Sequence, residues 1–312
     1  MQLIDTATTR RHLPMRPLID ALRRMFASGC EVPLRHTHRI AEAGTLLLMP
    51  AWRAGARLGI KTVTIFPGNG AIGLPGLHST YLLFDASTGV PLAQLDGNEI
   101  TSRRTAAASA LAASFLARTD ARRLLIVGTG RVAALLADAM RAVRPIEEVV
   151  VWNHRAASAH ALVDTLNANG VDARVAGELA DAVAEADIVS CATLATAPLV
   201  HGAWLRPGTH LDLIGSFTPQ MREADAACFA RSRVFVDTPE ALAKSGDVLK
   251  AIDAGAFAGA QLQATLAELC SGAHAGRASA AEVTLFKSVG SALEDLAAAE
   301  LVFDAVARES LS

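Results

Sequence analysis

Aromatic residues make up only 4% of the 312-residue chain, with one tyrosine and three tryptophans, so the core must be built mainly from Ala, Leu and Val. Four cysteines, Cys30, Cys191, Cys228 and Cys270, are scattered without a C-x-x-C pair. Neither a disulfide framework nor a cysteine metal site is expected from that spacing. His36-Thr37-His38 is the nearest approach to a metal motif, but it lacks a third ligand and reads as surface. Positive charge is not in excess: 29 basic residues face 31 acidic ones, for a formal charge of -2. Binding to nucleic acid by phosphate neutralisation is therefore not expected. No run of 18 apolar residues occurs, and the opening MQLIDTATTRRHLPMRP lacks the apolar stretch of a signal peptide. The expectation is a cytoplasmic protein with no membrane partner.

What is present is a large apolar fraction, 51%, on a chain long enough for two domains. Between about residues 120 and 240, short β-branched runs alternate with alanine-rich helical stretches, the rhythm of a parallel sheet covered by helices. Six strands are predicted: Leu124–Val127, Glu148–Trp152, Val171–Val175, Ile188–Cys191, His210–Ile214 and Arg233–Asp237. This is the pattern of an α/β Rossmann fold with a doubly wound parallel sheet. The first 118 residues instead carry extended runs at Thr45–Met49, Gly59–Phe66 and Tyr81–Phe84, joined by Gly and Pro turns, and predict a mixed α+β domain. A helix is predicted over Ser102–Arg118, capped by Thr101, and a second helical region over Ala281–Arg308.

The run Leu124-Leu125-Ile126-Val127 leads directly into Gly128-Thr129-Gly130-Arg131-Val132-Ala133. This is G-x-G-x-x-A between a strand and a helix. Gly128 permits the tight turn, Gly130 lets the backbone approach a pyrophosphate, and Ala133 allows helix and strand to pack closely. After the second strand, Asn153-His154-Arg155 stands where an NAD-selective site carries Asp or Glu for the ribose hydroxyls. Asn153 and Arg155 suit a 2'-phosphate, so NADP is favoured over NAD.

Five stretches carry a resemblance to the ornithine cyclodeaminase/mu-crystallin family over nearly the whole chain. They are Gly59–Val63, Leu83–Gly89, Thr101–Ala107, the Gly128 loop and Leu285–Asp295. The resemblance implies a substrate and dimerisation domain formed by both termini, residues 1–118 and 285–312, and a Rossmann domain over 119–284. It also implies a homodimer acting on an amino acid or a cyclic imine carboxylate. Lys61 and Arg104 match family positions implied to be catalytic, with Arg35 a further substrate-binding cation. A lysine inside the apolar run Leu58–Ile65 is costly to bury without a purpose. Arg131, Val132, Thr193 and Ser288 are implied to touch the cofactor, and the reading of the second strand's end adds Asn153, His154 and Arg155.

Two departures bear on the reaction. Phe217 stands where ornithine-cyclising members have an aspartate, and Leu48 where they have a glutamate. Neither side chain accepts a proton. The expected activity is therefore NAD(P)-dependent reduction of a cyclic ketimine such as pyrroline-2-carboxylate. Ornithine cyclodeamination, amino-acid dehydrogenation and NADPH-dependent binding without catalysis remain the alternatives.

Overall fold

The computed structural model describes residues 1–40 and 42–309, which divide into two units: residues 1–104 with those from 291 onward, and residues 105–290. In the first unit, strands β1 (Gln2–Ile4), β2 (His36–Ile40), β3 (Gly44–Trp52), β4 (Arg57–Ile65), β5 (Leu77–Asp85) and β6 (Pro91–Asp96) form one sheet in the order β1-β6-β5-β4-β3-β2. Only β1 pairs in parallel; the rest is antiparallel. Alternation along each strand sorts the side chains onto two faces. One face is buried and carries Met49, Ala51, Lys61, Val63, Tyr81 and Leu83. The other presents Pro50, Ile60 and Leu82 in register, with Trp52, Leu58 and Phe84 beside them, all half-buried.

Helices α1 (Thr6–Arg11) and α2 (Met15–Ser28) follow β1, and α3 (Gly97–Leu116) follows β6. The predicted start of α3 is too late, and Thr101 is not its cap. The Asp96 carboxylate accepts the Glu99 backbone N–H at 2.9 Å and starts the helix a turn earlier. At the other end of the chain, a helix over Ala292–Glu309 packs on β3, β4 and α2. It presents acids to cations: Glu300 meets Arg53 at 2.7 Å and Asp304 meets Arg57 at 3.0 Å.

The second unit holds eight parallel strands: β7 (Arg123–Val127), β8 (Glu148–Trp152), β9 (Ala173–Val175), β10 (Ile188–Cys191), β11 (His210–Leu213), β12 (Arg233–Val236), β13 (Ala264–Thr265) and β14 (Thr284–Lys287). Their order is β13-β12-β14-β11-β10-β7-β8-β9, so the unit's first strand, β7, lies inside the sheet and the winding reverses between β7 and β10. Helices α4 (Ala133–Arg141), α5 (Ala156–Ala168), α6 (Leu179–Glu185), α7 (Ala226–Ala230), α8 (Ala241–Lys244), α9 (Gly246–Asp253) and α10 (Leu266–Ser271) make the connections, and the terminal helix is α11. All six predicted strands are present. Two were not foreseen: the two-residue β13, and β14, which lies in the region predicted as helical. Thr284–Lys287 is buried on both faces between β11 and β12, and a four-residue run of that kind has no alternation to mark it as a strand. Because β14 pairs into this sheet and α3 crosses from one unit to the other, the divisions fall at 104/105 and 290/291 rather than the expected 118/119 and 284/285.

Candidate functional site

The glycine loop leaves β7 with Gly128 at φ +113°, a conformation an L side chain rarely adopts. A Cβ on Gly128 would also stand 2.6 Å from the Ala192 carbonyl oxygen. Gly130 differs, because nothing lies within 4 Å of where its Cβ would be. The backbone N–H groups of Thr129, Gly130, Arg131 and Val132 have no backbone acceptor among the described residues, and they precede the first turn of α4. Four unpaired donors beside an open space at a helix N-terminus fit a pyrophosphate. Arg131 is exposed and Val132 half-buried. Asn153 at the tip of β8 donates to Thr129 Oγ1 at 3.1 Å, which ties the second strand to the loop. His154 and Arg155 follow, both exposed.

A cluster of buried charge occupies the first unit. Lys61 on β4 is 2% exposed, and its Nζ lies 2.6 Å from Asp295 Oδ2 on α11. Arg104 on α3 donates through Nε to Asp295 Oδ1 at 3.0 Å and through Nη1 to Glu294 Oε2 at 2.6 Å. Two cations and two carboxylates balance, as buried charges must. Burial pulls Lys61 down to about 8, against the opposing attraction of Asp295. Burial also works against the Arg104 guanidinium, but Glu294 and Asp295 outweigh it and hold its pKa above the ordinary value. For Asp295, burial is in turn outweighed by Lys61 and Arg104, leaving its carboxyl below the usual range. The cluster can therefore present a fixed positive charge and a lysine that exchanges its proton near neutral pH.

The structure thus brings Lys61 and Arg104 together, while Arg35 is half-buried in the residue before β2. Thr193, just past β10, donates its backbone N–H and its hydroxyl to Glu223 Oε1 at 2.7 and 2.8 Å. Ser288 is buried just past β14, where Asp237 accepts the Val289 and Gly290 N–H groups at 2.7 and 2.6 Å and fixes the turn. Sequence reasoning missed four of these acids, Glu223, Asp237, Glu294 and Asp295. The signals for the last two are their place at the end of the Leu285–Asp295 stretch and a pair of acids set inside the apolar spacing Leu293 and Leu296 of α11. Phe217 is 43% exposed in the loop after β11, and Leu48 is half-buried on the sheet face opposite Lys61.

Residues 5–310 match the profile of the ornithine cyclodeaminase/mu-crystallin family. The chain belongs to that family. Delta(1)-pyrroline-2-carboxylate reductase from Paracoccus denitrificans is 40% identical over 303 residues, 96% of each chain. Among solved structures, the Thermococcus litoralis Delta(1)-pyrroline-2-carboxylate reductase in complex with NADH and L-proline superposes with a TM-score of 0.93. It is 32% identical and covers 99% of this chain and 98% of that one. An archaeal alanine dehydrogenase dimer with bound NAD also gives 0.93, at 29% identity and 99% and 97% coverage. Each reaches both sheets of this ornithine cyclodeaminase/mu-crystallin family member, so the likeness is not confined to the dinucleotide fold.

Proposed function

We propose that the chain is an NAD(P)-dependent reductase of a cyclic ketimine bearing a carboxylate, with pyrroline-2-carboxylate the leading substrate. The buried Lys61–Asp295–Arg104–Glu294 cluster carries this reading. When bound, the nicotinamide supplies a hydride to the imine carbon. Arg104 holds the substrate carboxylate through its guanidinium, with Arg35 as the second cation. Lys61 Nζ gives a proton to the imine nitrogen and regains it from water, so that the C=N bond becomes the amine of the product. A lysine near pKa 8 suits that exchange better than an ordinary lysine, and Asp295 keeps its ammonium oriented. The names of the Paracoccus relative and of the Thermococcus complex with L-proline support the same substrate class.

For the cofactor, the reading is a nicotinamide dinucleotide held by the Gly128–Val132 loop, with Thr193 and Ser288 touching it and NADP preferred over NAD. The preference rests on Asn153, His154 and the exposed Arg155 in place of an acid after β8. The chain acts as a homodimer, for which the half-exposed apolar sheet face around Ile60 supplies a surface. A cytoplasmic location goes with this reading, since its four cysteines are free thiols.

The test follows nicotinamide absorbance with purified protein, NADPH or NADH, and pyrroline-2-carboxylate or its six-membered analogue. Imine-dependent oxidation, faster with NADPH, is the expected result. L-ornithine or L-alanine with oxidised cofactor is the opposing arm. Ammonia release there without imine reduction would replace the proposal by cyclodeamination or amino-acid dehydrogenation. Tight NADPH binding with silence in every arm would replace it by a binding role.

A further inference from the structure

The Glu223 side chain lies outside the roles given above, yet its surroundings determine what a neighbouring residue can offer a ligand. Thr193 backs onto the glycine loop: a Cβ on Gly128 would stand 3.2 Å from Thr193 Cγ2. Both lie at the carboxyl ends of β7 and β10, between which the winding of the sheet reverses. Ligands of open α/β sheets bind at that crevice. The Thr193 backbone N–H and hydroxyl converge on one oxygen, Glu223 Oε1. The second of these bonds runs from the Thr193 hydroxyl to the carboxyl oxygen. Its one hydrogen is then committed, and the Ala195 N–H donates to Oγ1 at 3.2 Å. What Oγ1 has left to offer is a lone pair.

Glu223 is built in rather than draped over the surface. It is fully buried, its own N–H is held by Asp247 Oδ1 at 2.8 Å, and its carbonyl accepts the Leu199 and Val200 N–H groups. Gly215 leaves the space its carboxyl fills, since a Cβ there would collide with it. Lys287 fixes the same corner by donating to the carbonyls of Leu213, at 3.0 Å, and Gly215, with Asp247 Oδ2 3.7 Å away.

We propose that Glu223 is a positioning residue that locks Thr193 Oγ1 as a hydrogen-bond acceptor toward the bound dinucleotide. This corner then takes a neutral donor of the cofactor, a ribose hydroxyl or the carboxamide N–H, and repels a phosphate oxygen. The inference rests on the dinucleotide reading of the site.

The experiment measures dissociation constants for NADPH and NADH with the full chain, together with melting temperatures, for Thr193→Val, Glu223→Leu, Glu223→Asp, Glu223→Gln and the Thr193→Val/Glu223→Leu and Thr193→Val/Glu223→Asp double variants. Thr193→Val and Glu223→Leu are each expected to weaken binding about tenfold, the loss of one hydrogen bond. The Thr193→Val/Glu223→Leu double variant should be no weaker than Thr193→Val alone. Glu223→Gln keeps an acceptor at Oε1 and should stay within about threefold of the parent. If Glu223→Leu does not fold, Glu223→Asp, which withdraws the acceptor by one methylene, serves in both backgrounds. Additive losses, or unchanged binding in Thr193→Val, overturn the proposal. A purely structural role for Glu223 would lower the melting temperature and weaken binding equally in both backgrounds, giving that additive result. If the parent binds no nicotinamide dinucleotide, both this inference and the function fall, whereas normal parent binding with additive losses removes this inference alone. The 3-acetylpyridine analogue, which lacks the carboxamide N–H, separates the two donors. With it the Thr193→Val penalty vanishes if the carboxamide is the partner and persists if a ribose hydroxyl is.

Discussion

Lys61 keeps a charge where burial alone would remove it, and the proposed chemistry depends on how nearly burial and Asp295 balance. Its pKa lies near 8, and the ammonium is the form that donates. Reductive turnover at saturating imine is therefore expected to be constant below about pH 7 and to fall as the pH rises through about 8. Lys61→Met should lower kcat about 100-fold or more and lose that limb, while the dissociation constant for NADPH stays within a fewfold; an unchanged profile would remove Lys61 from proton transfer. Asp295 raises the lysine's pKa, so Asp295→Asn should move the limb to lower pH. The same change strips a buried pair of one partner and should destabilise the fold by about 3–5 kcal/mol, read by chemical denaturation. At the adenine end, Arg155→Gln should weaken NADPH binding about tenfold and leave NADH binding unchanged, a split that equilibrium titration reads directly. Lys61 was legible in the sequence as an isolated charge in an apolar run, and Arg104 through the Thr101–Ala107 stretch that carries the family resemblance. Their acids were not, because Glu294 and Asp295 lie 190 and 191 residues from Arg104 and no local pattern links them.

At the scale of the element, the strand, loop and helix around Gly128 separate two uses of glycine. Gly128→Ala meets both a left-sided φ and the Ala192 carbonyl, so it should lower the melting temperature and cofactor affinity together. Gly130→Ala meets open space, so its melting temperature should stay near that of the parent while cofactor affinity falls by tenfold or more, because the new methyl group fills room meant for the pyrophosphate. Equal losses of stability in the two variants would contradict that assignment. This element was readable in advance because its constraint is local: a buried strand, two glycines and a small residue at fixed offsets. β14 was not, because Leu285 and Val289 continue the helical spacing of Leu293 and Leu296, and only pairing with β11 and β12 makes Thr284–Lys287 extended. The early start of α3 belongs to the same class, since an aspartate ending β6 outcompeted the threonine that sequence alone favoured.

For the molecule as a whole, the half-buried face of the first sheet, opposite the one that carries Lys61 and meets α11, bears on assembly. Antiparallel sheets with one solvated face normally alternate apolar and polar residues. Here the alternation fails over the centre of β3, β4 and β5, where Pro50, Ile60 and Leu82 stand in register and Trp52, Leu58 and Phe84 flank them. A contiguous apolar patch of this kind marks an interaction surface, and with the same face available on every copy a twofold contact closes on itself. The protein should sediment as a dimer at micromolar concentration. Ile60→Glu places a carboxylate at the centre of that face without touching Lys61, which points to the other side of the strand. It should yield monomers whose melting temperature depends on concentration less than that of the parent. A dimer that persists in Ile60→Glu would assign the interface to another surface.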